Sequence, residues 1–491
     1  METSYFMRKA FLLFLFFPLL VSGKESLPNV VYILADDLGY GDVGICNPDG
    51  GIATPGMNQM GREGMVFTDA HSNSSVCTPT RYGVLTGRYA FRSRLKKGVL
   101  NGYSDFLIEE GRVTAASYLK GQGYHTAFIG KWHLGWDWAK DGKEVDYTKA
   151  VKNGPKEKGF VYSYGHSGSL DMAPYVWVEN GMPTAEPNRV TGRTKKESKN
   201  GWWRHGPTAP DFQHEDVLPN LTRRAVKYVK EQAKTKEPFF LYLALPSPHT
   251  PVLPTPEFEG KSGLDSAYAD FVTMTDDTVK QVLAALKESG VDENTLFIFT
   301  SDNGCSPEAD FAELEAQGHD PSFIYRGHKA DIFEGGHRVP FLVRWPARVK
   351  AGSTCDDTTC LTDLLATVAE IAGDPLPANA GEDSVSMMPN LLGKAAGPVR
   401  EATLHHSING TFAIRKGKWK LIEAPHSGGW SKPRPRDKKA WESLPEIQLY
   451  DLVSDPSESN NLAGDHGEVV KELQALLESY RENGRSVVLP E

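Results

Sequence analysis

The stretch Asn29-Val30-Val31-Tyr32-Ile33-Leu34-Ala35-Asp36-Asp37 determines the fold class of this chain. Its first seven residues form an almost continuous apolar run, which is typical of a strand buried on both faces of a parallel sheet. Two carboxylates follow directly. Open α/β sheets bind their ligands at the carboxyl ends of such strands. The stretch therefore predicts a central strand that ends at a functional site.

Helical and apolar segments alternate downstream of this strand. This alternation predicts a sheet with helices on both faces. Predicted helices cover residues 54–64, 113–120, 216–232 and 264–287, with another beginning near Cys77, and predicted strands cover residues 124–130, 239–245 and 296–300. We expect an α/β fold with a large mixed, mostly parallel sheet sandwiched by helices.

The sequence changes character after about residue 395. Two short strands are predicted within residues 411–422, a third at 447–452 and a terminal helix at 468–482, and residues 424–439 are predicted to form a loop. We expect a catalytic domain at residues 24–395 and a smaller C-terminal subdomain, an antiparallel sheet plus a helix, at residues 396–491.

Residues 1–23 are typical of a secretory signal. Arg8 and Lys9 precede a short apolar run, and Val21-Ser22-Gly23 supplies small residues for cleavage. The run is short for a bilayer span, although an N-terminal membrane anchor remains the alternative. We expect a secreted or periplasmic protein (lysosomal or extracellular in a eukaryote) with no membrane association after cleavage.

Composition adds limits on the partners. The chain has 491 residues, 40% of them hydrophobic and 24% charged, as in ordinary globular proteins. Its net charge of −9 argues against general binding of nucleic acid, which favours a basic face. Among the five cysteines, Cys355 and Cys360 are candidates for a local disulfide, and Cys46 and Cys305 are expected to lie near each other.

The most specific motif is Cys77-Thr78-Pro79-Thr80-Arg81, followed by Leu85-Thr86-Gly87-Arg88. With this motif the chain resembles the type I sulfatases of the alkaline-phosphatase-like superfamily. The resemblance implies that a formylglycine-generating maturation enzyme oxidises Cys77 to formylglycine. The hydrated aldehyde is a diol, so one hydroxyl attacks sulfur and the other drives elimination of sulfate, which makes the second step of covalent catalysis easy.

Two acidic motifs resemble the metal loops of that family: residues 35–42, Ala-Asp-Asp-Leu-Gly-Tyr-Gly-Asp, and residues 300–304, Thr-Ser-Asp-Asn-Gly. The resemblance implies that the metal ligands are Asp36, Asp37, Asp302, Asn303 and Cys77 as formylglycine. An all-oxygen set suits a hard cation, and the resemblance favours one Ca²⁺ over Mg²⁺.

Three further motifs complete the implied catalytic set. Gly130-Lys131-Trp132-His133-Leu134-Gly135 matches the family segment in which Lys131 holds a sulfate oxygen and His133 is the base in the elimination. His249, in Pro248-His249-Thr250-Pro251, and Lys329 serve the bridging oxygen, and His249 is the expected general acid for the leaving alcohol. Arg81 is expected to steady the formylglycine and the charge on the metal side.

The residues that bind the sugar are less clearly marked. Ser167 and Ser169 are both candidates for the serine that contacts sulfate, and His328 lies beside Lys329. A basic and aromatic segment, residues 188–204, suits an anionic saccharide, with Arg193, Trp202 and Trp203 as its candidate contacts. A solvated loop is the alternative interpretation of this segment.

These motifs together predict an exported sulfatase that is exo-acting on a sulfated carbohydrate, such as fragments of glycosaminoglycan, mucin or algal polysaccharide. Two alternatives stay open. The first is a phosphatase or phosphodiesterase of the same superfamily, which would use Thr or Ser where this chain has Cys77. The second is an inactive homologue that binds sulfated glycans, which the complete set of motif residues disfavours.

Overall fold

The structure is a computed structural model, and it describes residues 26–487. The predicted signal at residues 1–23 lies outside the described residues. The strands are β1 (Asn29–Asp36), β2 (Met65–Phe67), β3 (Ala70–His71), β4 (His125–Lys131), β5 (Lys140–Asp141), β6 (Glu144–Val145), β7 (Tyr162–His166), β8 (Val178–Glu179), β9 (Met182–Pro183), β10 (Arg189–Arg193), β11 (Trp203–Thr208), β12 (Phe239–Pro248), β13 (Thr295–Ser301), β14 (Phe341–Arg344), β15 (Ser353–Cys355), β16 (Thr359–Cys360), β17 (Thr403–His406), β18 (Phe412–Lys416), β19 (Trp419–Ile422) and β20 (Gln448–Asp451).

The α-helices are distributed along the whole described chain. They are α1 (Pro55–Glu63), α2 (Cys77–Thr86), α3 (Ala115–Gly121), α4 (Val217–Gln232), α5 (Ala267–Glu288), α6 (Phe311–Glu315), α7 (Glu334–His337), α8 (Leu364–Ala372), α9 (Met388–Leu391) and α10 (Gly467–Glu482). Among the described residues, no helix is both long and apolar enough to cross a membrane.

A ten-stranded sheet forms the centre of the fold, in the order β15-β2-β14-β13-β1-β12-β4-β7-β8-β9. The strand β1 is parallel to β12 and to β13, and β4 is parallel to β12 and to β7. Because these neighbours are parallel, their carboxyl ends meet at one edge. Asp36 stands opposite Pro248 and Ala35 stands opposite Ser301, so the polar residues that follow these strands lie together.

Alternating side chains of β1 enter two different cores. Val31 and Ile33 pack on one face of the sheet, and Val30 and Leu34 pack on the other. This explains why the strand is apolar throughout, since a parallel sheet covered on both faces has no solvated side. The predicted α/β fold with a mostly parallel sheet between helices is confirmed.

The smaller C-terminal part is also confirmed: an antiparallel sheet in the order β17-β18-β19-β20, accompanied by α10. The strands β14 and β2, together with the short strands between Lys140 and Thr208, were absent from the sequence-based prediction. All of them are short, and those such as β5 and β10 are also at least partly exposed, so their sequences lack a long apolar run.

A buried polar cluster joins the C-terminal sheet to the rest of the molecule. Lys420 of β19 lies with its Nζ 3.0 Å from a carboxylate oxygen of Glu334, 2.8 Å from one of Glu458 and 3.0 Å from Nε2 of His337. All four side chains are buried. His337 in turn stacks on His405 of β17, with ring centroids 4.0 Å apart. The two parts of the chain are therefore connected by charges that have no access to water.

The local disulfide considered for Cys355 and Cys360 is not formed, and all five cysteines are free and buried thiols. The two residues lie on different strands: Cys355 ends β15, beside Phe67 of β2, and Cys360 ends β16, beside His71 of β3. Short spacing along the chain therefore did not bring the two sulfur atoms into bonding geometry. Cys305 instead contacts the hydroxyl of Tyr268, 3.2 Å away.

Candidate active site

Two loops at the carboxyl ends of β1 and β13 carry the acidic residues of the site. The Asp302 backbone N–H donates to Ala35 O over 3.0 Å, and the Leu38 N–H donates to Ser301 Oγ over 3.0 Å. Asp37 has a left-handed backbone with φ of 64°, a conformation that is uncommon outside glycine but more frequent for Asp. Each loop thus fixes the position of the other.

The oxygen atoms of these loops fit a hard cation. Asp36, Asp37, Asp302 and Asn303 are all at most 1% exposed. The Asn303 amide nitrogen donates to Asp37 Oδ1 over 2.8 Å, which leaves Asn303 Oδ1 as an unpaired acceptor, and Asp36 Oδ1 likewise has no hydrogen-bond partner within residues 26–487. Burial and the neighbouring Asp36 raise the pKa of Asp302 to about 7. Clustered buried carboxylates with free oxygens are the donor set that Ca²⁺ prefers.

Cys77 is the first residue of α2, and the sequence of that helix explains its position. Pro79 lies in the first turn, where a missing N–H removes no helical hydrogen bond. Arg81 is one turn further, so it lies on the same helix face as Cys77. Gly87 ends the helix with φ of 61°, and its N–H donates to Gly83 O over 2.9 Å. The positions of Pro79, Arg81 and Gly87 therefore suit this helix, and they place Cys77 and Arg81 side by side.

The Cys77 thiol lies among charged groups but is itself uncharged. One ligand atom each from Asp36, Asp37, Cys77 and His249 lie within 4.8 Å of one another. Burial raises the pKa of the Cys77 thiol to about 12, against the opposing effect of Lys131 and Lys329. Because the thiolate is the nucleophilic form of cysteine, the unmodified side chain is a poor nucleophile here.

Arg81 connects the helix to both acidic loops. Its guanidinium contacts the Asp302 carboxylate over 2.8 Å, and its Nη1 donates to Lys131 O over 2.9 Å. Its side chain is completely buried. Arg81 thus holds α2, β4 and β13 in a fixed relation around Cys77.

His133 has the hydrogen bonding of a neutral base. Its Nε2–H donates to Leu100 O over 2.7 Å, so Nδ1 carries the lone pair, and Nδ1 has no partner among the described residues. Burial and the adjacent Lys131 hold the pKa of His133 well below its usual range. Its φ of 54° is a strained value, and such strain is concentrated at functional sites.

The two lysines of the predicted set both reach the acidic loops. Lys131 Nζ contacts the Asp36 carboxylate, and Lys329 Nζ lies 2.7 Å from Asp37 Oδ2. Burial opposes the charged form of Lys329, but the Asp37 carboxylate holds its pKa above the usual range. Both ammonium groups are therefore positioned as fixed positive charges in a nearly dry site.

His249 lies on the other side of Asp37. Its Nε2 is 3.6 Å from Asp37 Oδ2, and its Nδ1 is 2.5 Å from Thr250 O, to which it donates. The orientation of the ring is thus set by its own backbone, and Nε2 is the nitrogen available to a ligand. The structure brings together all ten residues predicted for catalysis and metal binding, which come from six separate segments of the chain.

A cavity of about 420 Å³ opens directly onto Cys77, His133, His249 and Lys329. Of the six residues predicted to contact substrate, Ser169 and Trp202 line it. The other four lie elsewhere. Trp203 stacks on His214 at 4.1 Å, Arg193 lies over Trp203, His328 packs against Phe311, and Ser167 is buried with its carbonyl bonded to the His133 N–H.

The basic segment predicted at residues 188–204 also reaches the cavity, through Lys195 and Arg204. The sequence did not single out the other walls: Asp171, after β7, and Ile408 and Trp430, from the C-terminal part of the chain. Trp430 lies in the predicted loop at residues 424–439, and a tryptophan in a segment rich in Pro and Ser was the one available signal. The basic segment is held in place, since Lys195 contacts Glu308 over 2.5 Å and Lys199 contacts Asp310.

Comparisons with known proteins agree with this geometry. The family model described as sulfatase matches residues 28–374, and the model described as the C-terminal part of N-sulphoglucosamine sulphohydrolase matches residues 328–483. The two models together cover almost all of the described chain. Their overlap falls on the segment that carries Lys329.

Individual relatives give the same result at the level of whole chains. The N-acetylgalactosamine-6-O-sulfatase of Bacteroides thetaiotaomicron is 35% identical to this chain, and the match covers 94% of each protein. Human arylsulfatase A is 31% identical over 91% of this chain and 86% of its own length. A solved sulfatase structure from work on glycosaminoglycan metabolism by B. thetaiotaomicron superposes with a TM-score of 0.80 at 33% identity, covering 93% of this chain and 99% of that one.

Proposed function

Because this chain belongs to the sulfatase family and is a sulfuric ester hydrolase, we propose that it is an exported, formylglycine-dependent enzyme that removes 6-O-sulfate from the end of a glycosaminoglycan fragment containing N-acetylgalactosamine. The observation that carries this proposal is the convergence of Cys77, His133, His249 and Lys329 on one cavity, with Asp36 and Asp37 clustered beside Cys77. Export is supported by the sequence of residues 1–23 alone.

Residues of this chain are arranged to bind a sulfate ester and stabilise its charge. Asp36, Asp37, Asp302 and Asn303 would hold Ca²⁺, which, when bound, offsets their charge and draws electrons from the sulfate oxygens. Formylglycine at position 77 would supply the hydroxyl that attacks sulfur and the second hydroxyl that later expels sulfate. Lys131 and Lys329 oppose the negative charge that grows on the sulfate and on the leaving oxygen.

Two histidines provide the proton transfers. His249 donates a proton from Nε2 to the oxygen of the leaving sugar, while Nδ1 stays bonded to the Thr250 carbonyl. His133 accepts a proton at Nδ1 from residue 77 during elimination, because its Nε2–H is committed to the Leu100 carbonyl. The neutral state that burial imposes on His133 is the state that a base requires.

The substrate class rests on the relatives and on the cavity. The relative with the highest identity given above is named for 6-O-sulfated N-acetylgalactosamine. The cavity volume of about 420 Å³ lies at the lower end of the range for small-ligand sites, which suits one or two sugar rings rather than a long chain. The size of the cavity favours the end of a saccharide over an internal position.

Mass spectrometry combined with sulfate release tests the proposal. The protein is produced together with a formylglycine-generating enzyme, and the peptide containing residue 77 is weighed. We expect the aldehyde form, and we expect release of sulfate from N-acetylgalactosamine 6-sulfate and from chondroitin oligosaccharides that end in it. Cys77→Ala should abolish release, while the control Cys355→Ala, which replaces a cysteine outside the cavity, should retain it.

Three results would contradict this function. A fully converted enzyme that releases sulfate from an aryl ester but from no sulfated saccharide would remove the proposed substrate class. Unconverted Cys77 with undiminished sulfate release would remove the formylglycine mechanism. Hydrolysis of phosphate diesters at a higher kcat/KM than sulfate esters would favour the phosphodiesterase alternative.

A further inference from the structure

The cavity wall opposite the acidic loops contains an ion pair, Asp171 with Arg204. Asp171 is only 4% exposed, and its Oδ2 contacts Arg204 Nη1. Arg204 also donates to the Asp171 backbone carbonyl, from Nη1 over 3.1 Å and from its own N–H over 3.2 Å. Arg204 therefore holds both the carboxylate and the backbone of Asp171 in place.

The second carboxylate oxygen of Asp171 is unsatisfied. Its Oδ1 is buried and has no hydrogen-bond partner within residues 26–487. A carboxylate accepts several hydrogen bonds, and leaving one oxygen of a buried, ionised group unpaired is strongly unfavourable. The hydroxyls of Ser169 and Thr250, which line the same cavity, are unpaired in the same way. This wall therefore carries these three unpaired polar groups, and a ligand rich in hydroxyl groups would supply their hydrogen-bond partners.

An apolar wall completes the cavity. Trp430 and Ile408 reach it from the C-terminal part of the chain. The Trp430 backbone is fixed, because its N–H donates to Asp331 Oδ1 over 2.7 Å, yet its side chain is 40% exposed. A tryptophan with a fixed backbone and an exposed side chain beside a polar wall offers one flat apolar surface to a ligand. Pyranose rings have this same division into an apolar face and a rim of hydroxyls.

We propose that Asp171 accepts a hydrogen bond, through Oδ1, from a ring hydroxyl of the sugar that carries the sulfate, while Arg204 holds the carboxylate in place and Trp430 covers the apolar face of the ring. This rests on the proposed function and adds its specificity residues. The pair of Asp171 and Arg204 would distinguish a saccharide from an aryl sulfate, because an aryl ester has no ring hydroxyl that could donate to Asp171. The C-terminal subdomain thereby takes part in substrate selection.

The test compares two substrates in matched variants. Asp171→Asn keeps the size of the side chain but weakens its acceptor, and Asp216→Asn is the control, since Asp216 pairs with Arg223 at the surface. Each converted enzyme is assayed on N-acetylgalactosamine 6-sulfate and on an aryl sulfate. We expect Asp171→Asn to lower the ratio of the two kcat/KM values by about 10- to 100-fold, the range for losing a hydrogen bond to a charged group. Asp216→Asn should leave this ratio unchanged.

Deoxygenated substrates provide the decisive comparison. If Asp171 binds a ring hydroxyl, the 3-deoxy or the 4-deoxy form of the sulfated sugar should be hydrolysed equally well by wild type and Asp171→Asn. The inference would be overturned if the ratio of the two kcat/KM values for Asp171→Asn stayed within about threefold of wild type. It would also be overturned if Asp171→Asn slowed hydrolysis of both deoxy sugars as much as that of the complete sugar. A wild-type enzyme that hydrolyses only the aryl sulfate would instead overturn the proposed function, and the inference with it.

A loss of activity through misfolding must be separated from a loss of substrate binding. Thermal unfolding of each variant shows whether Asp171→Asn retains the native structure. If it does not, Trp430→Phe offers a second variant, because the side chain is exposed and Phe keeps a smaller flat surface. We expect this variant to raise KM on the saccharide by several-fold, and an unchanged KM would count against the apolar wall.

Discussion

Replacing Lys420 with methionine is expected to destabilise the protein strongly, although Lys420 does not line the cavity. The side chain is completely buried, and its ammonium group is the shared partner of Glu334, Glu458 and His337. Glu334 retains Arg338, 3.1 Å away, after the substitution. Glu458 has no second cation within salt-bridge distance among the described residues.

The magnitude follows from the charge that is left behind. Removing one partner of a buried ion pair destabilises a protein by about 3–5 kcal/mol, because the other charge remains buried and uncompensated. Burial, with Glu334 nearby, already raises the pKa of Glu458 to about 7. Without Lys420 this pKa rises further, so the Glu458 carboxyl can take up a proton at low pH and escape the penalty. The destabilisation should therefore be larger at pH 8 than at pH 6.

Urea unfolding followed by fluorescence measures this effect at both pH values. Lys418→Met is the matched control, since Lys418 precedes the same strand but is 49% exposed and pairs with Asp451 at the surface, where a salt bridge contributes about 1 kcal/mol or less. Glu458→Gln in the Lys420→Met background should restore part of the lost stability. A Lys420→Met variant no less stable than Lys418→Met, or one equally destabilised at both pH values, would refute the reasoning.

Three further predictions concern the site and the histidines. His133→Ala should lower kcat by about 100-fold or more and leave sulfate covalently attached to residue 77, detectable by mass, because the base for elimination is gone; turnover with no such accumulation would contradict this role. Removal of Ca²⁺ by a chelator should abolish sulfate release and lower the thermal midpoint, with both restored by added Ca²⁺, since the carboxylates of Asp36, Asp37 and Asp302 would repel one another; full activity after verified metal removal would contradict the metal site. Burial and the neighbouring His71 and Lys420 hold the pKa of His405 well below its usual range, so the folded state keeps this ring neutral while the unfolded state takes up a proton below about pH 6.5. The contribution of His405 to the free energy of unfolding therefore falls by about 1.4 kcal/mol per pH unit as the pH drops below about 6.5. The free energy of unfolding of His405→Gln should depend on pH less steeply than that of the wild type by this amount. Equal slopes for the wild type and the variant would contradict the prediction.

The major elements were predictable because their sequences are long and periodic. The prediction of a helix at residues 216–232 differs from α4 by one residue, and the predicted strand at 239–245 is extended in β12 only at its carboxyl end. The short strands between Lys140 and Thr208 were not predictable, since strands of only two to six residues carry too little apolar periodicity. These segments become strands because they form hydrogen bonds with neighbouring strands in the folded protein.

The residues of the site fall into the same two groups, those that local sequence reveals and those that depend on distant contacts. Residues that need a particular backbone, such as Gly87 beyond α2, or a particular spacing, such as Cys77 and Arg81, are visible in one segment of sequence. Residues that act through distant neighbours are not. Trp203 and Trp202 are adjacent in sequence, yet Trp203 is buried against His214 while Trp202 lines the cavity with its Nε1–H bonded to Glu308 over 2.9 Å. No local pattern distinguishes these two tryptophans.

The sequence by itself determined the strand that ends at Asp36 and Asp37, the helix that begins at Cys77, and therefore the chemistry that these residues can perform. Both depend on interactions within one segment, where side-chain type and backbone preference act directly. Only the tertiary structure decided which further groups line the cavity around that chemistry. Asp171, Arg204 and Trp430 lie up to 259 residues apart (430 minus 171), and they meet because sheet register and subdomain packing bring them together.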